Sequence, residues 1–179
     1  MYGEPGMRGN ECWLPSIIEY DGNSGWEEYD AQIYSIYKQD FIDSKPVLHG
    51  KTVTVKHYPK IHEYEESYIH ITCKNYDGTK NRDPDLRRCE RIKWVRAFLE
   101  HYDCKKECTA DCSGIKVWKE PYHSKDRIHF LFEEEKYMVV VEDRKRFYLL
   151  ITAFYFDYPH ALERELKKYG RYKTGNAIF

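Results

Sequence analysis

Five cations fall within the thirteen residues RDPDLRRCERIKW (82–94): Arg82, Arg87, Arg88, Arg91 and Lys93. Read as a helix from Leu86 onward, the stretch sets Arg87 and Arg91 one turn apart. Arg88 lies three residues before Arg91, so these side chains converge on one patch. A guanidinium is a rigid planar fork of donors that matches phosphate oxygens. Arg88 and Arg91 are therefore candidates to grip and stabilise a phosphate, with Arg87 and Lys93 beside them. The same spacing also suits a capped helix start, in which Arg87 and Arg88 pair with Asp83, Asp85 and Glu90. On spacing alone that second reading carries the greater weight. His70 is the next candidate. SYIHITCK (67–74) reads as a strand, with Tyr68, His70 and Thr72 on one face and Ile69, Ile71 and Cys73 on the other. A histidine titrates near neutrality and moves a proton in either direction. LLITAFYFDYPH then carries Thr152, whose hydroxyl needs a partner if buried in so apolar a strand. It also carries Tyr155, able to hold a phosphate or stack on a base.

Other chemistries lose ground by what is missing. The chain has no glycine-rich phosphate loop, no G-x-S-x-G turn, no H-E-x-x-H and no acidic cluster arranged for magnesium. What remains for an enzyme is metal-independent work on a phosphate by His, Arg, Thr and Tyr. RNA permits it because its 2′-OH is an internal nucleophile, given a base, an acid and cations for the charge that builds on phosphorus. No cofactor and no metal are expected. Cys104, Cys108 and Cys112 recur every fourth residue in CKKECTADC, with His101, His123 and His129 near in sequence. That spacing matches no common zinc pattern, and reduced thiols are the plainer reading.

The elements that must position these residues follow from periodicity. Trp26, Tyr29, Ile33, Tyr37 and Phe41 form the stripe of an amphipathic helix, with Ser24 as its N-cap. KTVTVKH (51–57) alternates as a strand. IKVWKEP, RIHFLFE, KYMVVVED and RFYLLITAFYF are β-rich, and short polar links join the last three, which favours hairpins. HALERELKKYG closes the chain as a helix, with Gly170 as its stop. Helices first and strands later argue α+β with an antiparallel sheet.

Composition agrees with a folded polar-surfaced chain. Charged residues make up 33% and aromatics 16% of the 179 residues, with 17 tyrosines; disordered chains are poor in aromatics. No apolar run approaches the roughly 20 residues of a membrane span, and the N-terminus lacks the pattern of a signal peptide. A cytoplasmic setting without membrane partners is expected. Residues 1–43 hold nine acidic and two basic side chains, a net −7, and the remainder carries +6. That asymmetry suggests a polyanionic partner. The division expected is an irregular acidic segment, 1–25, and one α+β domain, 26–179.

The order YIHITCK, RDPDLRRCERIKW, YMVVVED and YLLITAFYFDYPH, after a helix ending in KQDFIDSKPVLHGKTVTV, resembles a phage- and prophage-associated nuclease-like family. That family is placed with barnase, EndoU, the tRNA-cleaving colicins and RelE (the BECR superfamily), and the resemblance covers roughly residues 26–169. It implies N-terminal helices packed on a four-stranded antiparallel sheet. It also implies toxin-like, metal-independent cleavage of tRNA or other RNA, neutralised by an antitoxin or inhibitor protein. Carried over by motif, the catalytic set is His70, Arg88, Arg91 and Thr152, with Tyr155 a further contact. Phe154 stands where the family pattern has Tyr, so no hydroxyl is required there. Two other readings stand beside the enzyme: a non-catalytic module of the same fold that binds RNA or blocks a host nuclease, and an interaction protein whose arginines only cap and pair.

Overall fold

The computed structural model describes residues 12–75, 81–104, 112–173 and 178–179. Helix α1 (Trp26–Lys38) runs on into a π-helical turn (Gln39–Asp43). The predicted stripe is its buried face: Tyr29, Ile33, Tyr37 and Phe41 are almost wholly excluded from water. Gly25, rather than Ser24, is the N-cap; the Ser24 N–H turns back to Asp21 Oδ1 instead. Strand β1 (Val47–Leu48) and strand β2 (Lys51–Thr54) form a hairpin over His49 and Gly50. Both turn residues have positive φ, 45° and 77°, the geometry whose twist suits a two-residue loop.

Residues 67–74 do not form the strand their alternation suggests. Glu66–Thr72 is helix α2, and only Cys73–Lys74 is extended, as β3, paired with β4 (Asp83–Pro84). Ser67, Tyr68, Ile69, Ile71 and Thr72 are all buried. β-Branched residues lower helix propensity by only tenths of a kcal/mol each, about what packing on several sides readily outweighs. Thr72 adapts by donating from Oγ1 to the Tyr68 carbonyl one turn back, at 2.7 Å. The arginine-rich stretch is likewise two helices, α3 (Leu86–Glu90) and α4 (Ile92–Glu100), parted at Arg91 (φ −102°, ψ 18°).

Strands β5 (Lys116–Tyr122), β6 (Lys125–Phe132), β7 (Tyr137–Asp143) and β8 (Tyr148–Tyr155) form an antiparallel meander. The sheet is nevertheless not the expected four-stranded antiparallel one. It has six strands in the order β1-β2-β8-β7-β6-β5 and is mixed, because β2 joins the free edge of β8 in parallel, Val53 opposite Tyr148. A parallel pair needs a long crossover, here most of the chain between residues 54 and 148. Nothing in the local pattern of KTVT announces a partner so distant. The architecture also differs in its helices: α5 (Pro159–Tyr172) packs on the sheet face opposite α1 and α4, and Gly170 lies inside it rather than ending it.

Alternation along the strands divides the core in two. One face offers Ile128, Phe130, Phe132, Val139, Val141, Leu150 and Ala153 to α1, α2 and α4. There Tyr137 meets the edges of Trp94 and Phe98, at ring separations of 5.4 and 5.5 Å. The other face offers Trp118, Leu131, Met138 and Val140 to Leu162, Leu166 and Tyr169 of α5. A bulge opposite Val140 and Val141 breaks strict alternation in β8. As a result Leu150 and Ala153 share the first face, and Thr152 pairs with Val140 on the second. Residues 12–25 are irregular but docked on the first core, with Trp94 Nε1 donating to Pro15 O at 2.8 Å and Tyr29 to Ile18 O at 2.8 Å.

Candidate phosphate-binding cleft

A cleft of about 760 Å³ opens between α2, the end of α3 and the α5-side face of the sheet, lined by Lys56, Glu66, Ser67, His70, Arg82, Arg88, Arg127, Glu142, Arg144, Leu149–Thr152 and Phe154. Its walls carry five cations against two carboxylates, a net +3 with His70 neutral. A concave surface of net positive charge concentrates field lines and attracts anions.

His70 sits in the last turn of α2, one turn after Glu66, and its Nε2 lies 3.4 Å from Glu66 Oε1. Glu66 also pairs with Lys56 at 2.8 Å. Burial lowers the His70 pKa from its ordinary value, Arg82 lowers it further, and the Glu66 carboxylate only partly opposes them. The imidazole is therefore mainly neutral at pH 7 and able to accept a proton, with Glu66 fixing its orientation.

Arg88 and Thr152 meet at the same helix end, but through the backbone. Arg88 Nη1 donates to the carbonyls of His70 (3.0 Å) and Cys73 (2.9 Å), and its guanidinium lies over Phe154. Thr152 Oγ1 donates to the His70 carbonyl at 3.2 Å. The last carbonyls of a helix lack intrahelical donors, and these two side chains supply them. They position His70 and line the cleft. Because the Thr152 proton is committed to the His70 carbonyl, its hydroxyl faces the cleft as an acceptor.

The remaining sequence candidates lie elsewhere. Arg87 and Arg91 converge as their spacing predicts, but on Tyr155, with guanidinium carbons 4.6 and 4.9 Å from its ring. Arg91 also pairs with Glu90 and bonds to the Arg87 carbonyl, and Arg87 lies 3.9 Å from Asp157. Tyr155 packs on the α1–α4 side of the sheet, so none of the three lines the cleft. Lys93 borders a separate hollow of about 460 Å³ with Trp13, Asp40 and Arg96. Asp85 caps α3, accepting from the Arg88 N–H at 3.1 Å, so the stretch is partly a capped helix start. Cys108 lies outside the described residues; Cys104 and Cys112 form no disulfide with each other.

Sequence reading missed Lys56, Glu66, Arg82 as a site residue, Arg127 and Arg144. Arg127 and Arg144 meet through Glu142, at 3.2 and 2.7 Å, which only strand register brings about. The Glu66–His70 pair is a plain i,i+4 signal, hidden once 67–74 is read as a strand. Arg82 lines the cleft and makes no ion pair with the other described residues.

No family model matches the chain, and no solved structure matches it. Part of it is similar to the tRNA-specific 2-thiouridylase MnmA of Nitrosomonas europaea, 32% identical over 76 residues. The match takes in 42% of this chain and spans about a fifth (21%) of that enzyme's length. Among the described residues no helix is long and apolar enough to cross a membrane.

Proposed function

We propose that the chain binds RNA in this cleft and cleaves its phosphodiester without a metal ion. The observation that carries the reading is the convergence of a neutral, carboxylate-oriented imidazole with a cluster of guanidinium groups in one cleft. His70 takes the proton of the 2′-OH. The 2′-oxygen bonds to phosphorus as the P–O5′ bond breaks, the departing 5′-oxygen takes a proton from water to leave as 5′-OH, and the developing charge on the phosphate falls to Arg82, Arg144 and the outward side of Arg88. Arg88 and Thr152 hold the end of α2 that carries His70. The partial similarity to a protein named for acting on tRNA favours RNA over other polyanions, and tRNA as the first substrate to try. A toxin-like or phage-associated role, with an acidic antitoxin or inhibitor seated on the same cleft, fits its charge.

A second reading has its own support. Thr152 and one Arg88 nitrogen spend their donors on the backbone, as in a module that binds RNA without turning it over. Incubation with total RNA in EDTA separates the two. Discrete fragments, lost in Arg82→Glu with Arg144→Glu, support the enzyme. Retention of intact RNA supports the binding module, and neither cleavage nor binding removes both.

A further inference from the structure

We propose that Glu120, His129 and Glu165 form a binding site for a divalent transition cation of the zinc class, clasping α5 to the β5–β6 hairpin. Glu120 lies on β5, His129 on β6 and Glu165 on α5, and one donor atom from each lies within 4.8 Å of the others. His129 and Glu165 are 7% and 6% exposed. So closed a setting demands partners for their polar atoms, yet Glu120 Oε2, Glu165 Oε2 and both ring nitrogens of His129 have no hydrogen-bond partner among the described residues.

The other carboxylate oxygens are accounted for. Lys168 Nζ lies 3.4 Å from Glu120 Oε1 and 3.4 Å from Glu165 Oε1. The oxygens left over are the Oε2 atoms, and Glu120 Oε2 lies 3.6 Å from His129 Nε2. That is too long for a hydrogen bond, so protonating the ring does not satisfy the pair. It is close to the separation of two donors sharing one tetrahedral ion, about 3.4 Å for bonds of about 2.1 Å.

Imidazole with two carboxylates suits zinc and its neighbours better than magnesium or calcium, which prefer all-oxygen shells. Three protein donors leave a fourth position for water, entered past Glu120 and the third-exposed Lys168. Trp118 stacks on His129 at 4.8 Å and holds the ring in place. The apolar seat of α5 on Leu131 and Met138 holds the helix without the ion, so a chelator empties the site and leaves the cleft assay readable.

The test uses the full chain, stripped with a chelator and titrated with Zn²⁺ and with Co²⁺. One equivalent per chain is expected, with a raised Tm and a cobalt spectrum free of the thiolate-to-metal band that cysteine ligands would give. His129→Ala and Glu165→Gln should each abolish stoichiometric binding. Glu120→Gln, at the more exposed rim, should fold normally by circular dichroism and weaken it. Unchanged zinc binding in Glu120→Gln, a thiolate band, or no binding by the wild-type chain would each overturn the site.

Discussion

Arg88 carries a prediction that separates structure from chemistry. Substitution by Met keeps an apolar stem against Phe154 and removes the guanidinium fork. Two hydrogen bonds from a charged donor are lost, to the carbonyls of His70 and Cys73. Each contributes about 1.5–3 kcal/mol. The His70 carbonyl keeps Thr152 as a donor. The Cys73 carbonyl faces Pro84 across the β3–β4 pair, and proline has no N–H to offer in place of the fork. Taking the lower figure for both bonds, Arg88→Met should cost about 3 kcal/mol. For a chain of this size that lowers Tm by roughly 6–12 °C. Urea denaturation followed by tryptophan fluorescence reads the first figure, and calorimetry the second. A loss below about 1 kcal/mol, a single ordinary hydrogen bond, would show that the carbonyls are rehydrated at no cost. Arg88 would then not be what fixes the end of α2.

Thr152→Val removes one of the two donors to the His70 carbonyl and should cost only about 1 kcal/mol; a loss as large as that of Arg88→Met would contradict the assignment of the remaining bond. The lowered pKa of His70 means the unfolded chain binds its proton more readily than the folded one. Stability should therefore fall as pH drops below the ordinary value of 6.5, and the fall should shrink in His70→Gln; equal pH profiles for the two proteins would refute this. The hydroxyl of the wholly buried Tyr137 has no hydrogen-bond partner among the described residues, so Tyr137→Phe should be neutral or stabilising by up to about 1 kcal/mol in the same urea assay, and clear destabilisation would reveal a missed bond. Trp94→Phe removes the bond to Pro15 O and should speed proteolytic cleavage within residues 12–25, with unchanged cutting as the contrary result.

Short-range pattern made the strongest elements legible. The stripe of α1 and the hairpin strands β6–β8 announce themselves, because burial on one face imposes a period of 3.6 or 2. What failed depends on distant partners. α2 is buried on several sides, so its β-branched residues show no helical stripe and alternate as a strand would. β2 pairs with a strand nearly a hundred residues later. The β8 bulge shifts every face assignment before it by one residue, so Leu150 shares a face with Ala153 and not with Thr152, the reverse of what alternation gives. The cleft suffered in proportion. His70, Arg88 and Thr152 come together, while Arg87 and Arg91, two residues of the same dense stretch, turn to Tyr155. The strand face on which each ring lies decides between them: Phe154 looks into the cleft and Tyr155 away from it.

The central claim concerns the bond made to phosphorus, so the ends of the products test it most directly. Attack by the 2′-oxygen leaves a 2′,3′-cyclic phosphate on one fragment and a free 5′-OH on the other. End-group analysis of RNA incubated with the wild-type chain in EDTA should find both, and a folded His70→Gln protein should produce neither. Fragments ending in 5′-phosphate, equal cleavage by His70→Gln, or intact RNA from the wild-type protein would contradict the account.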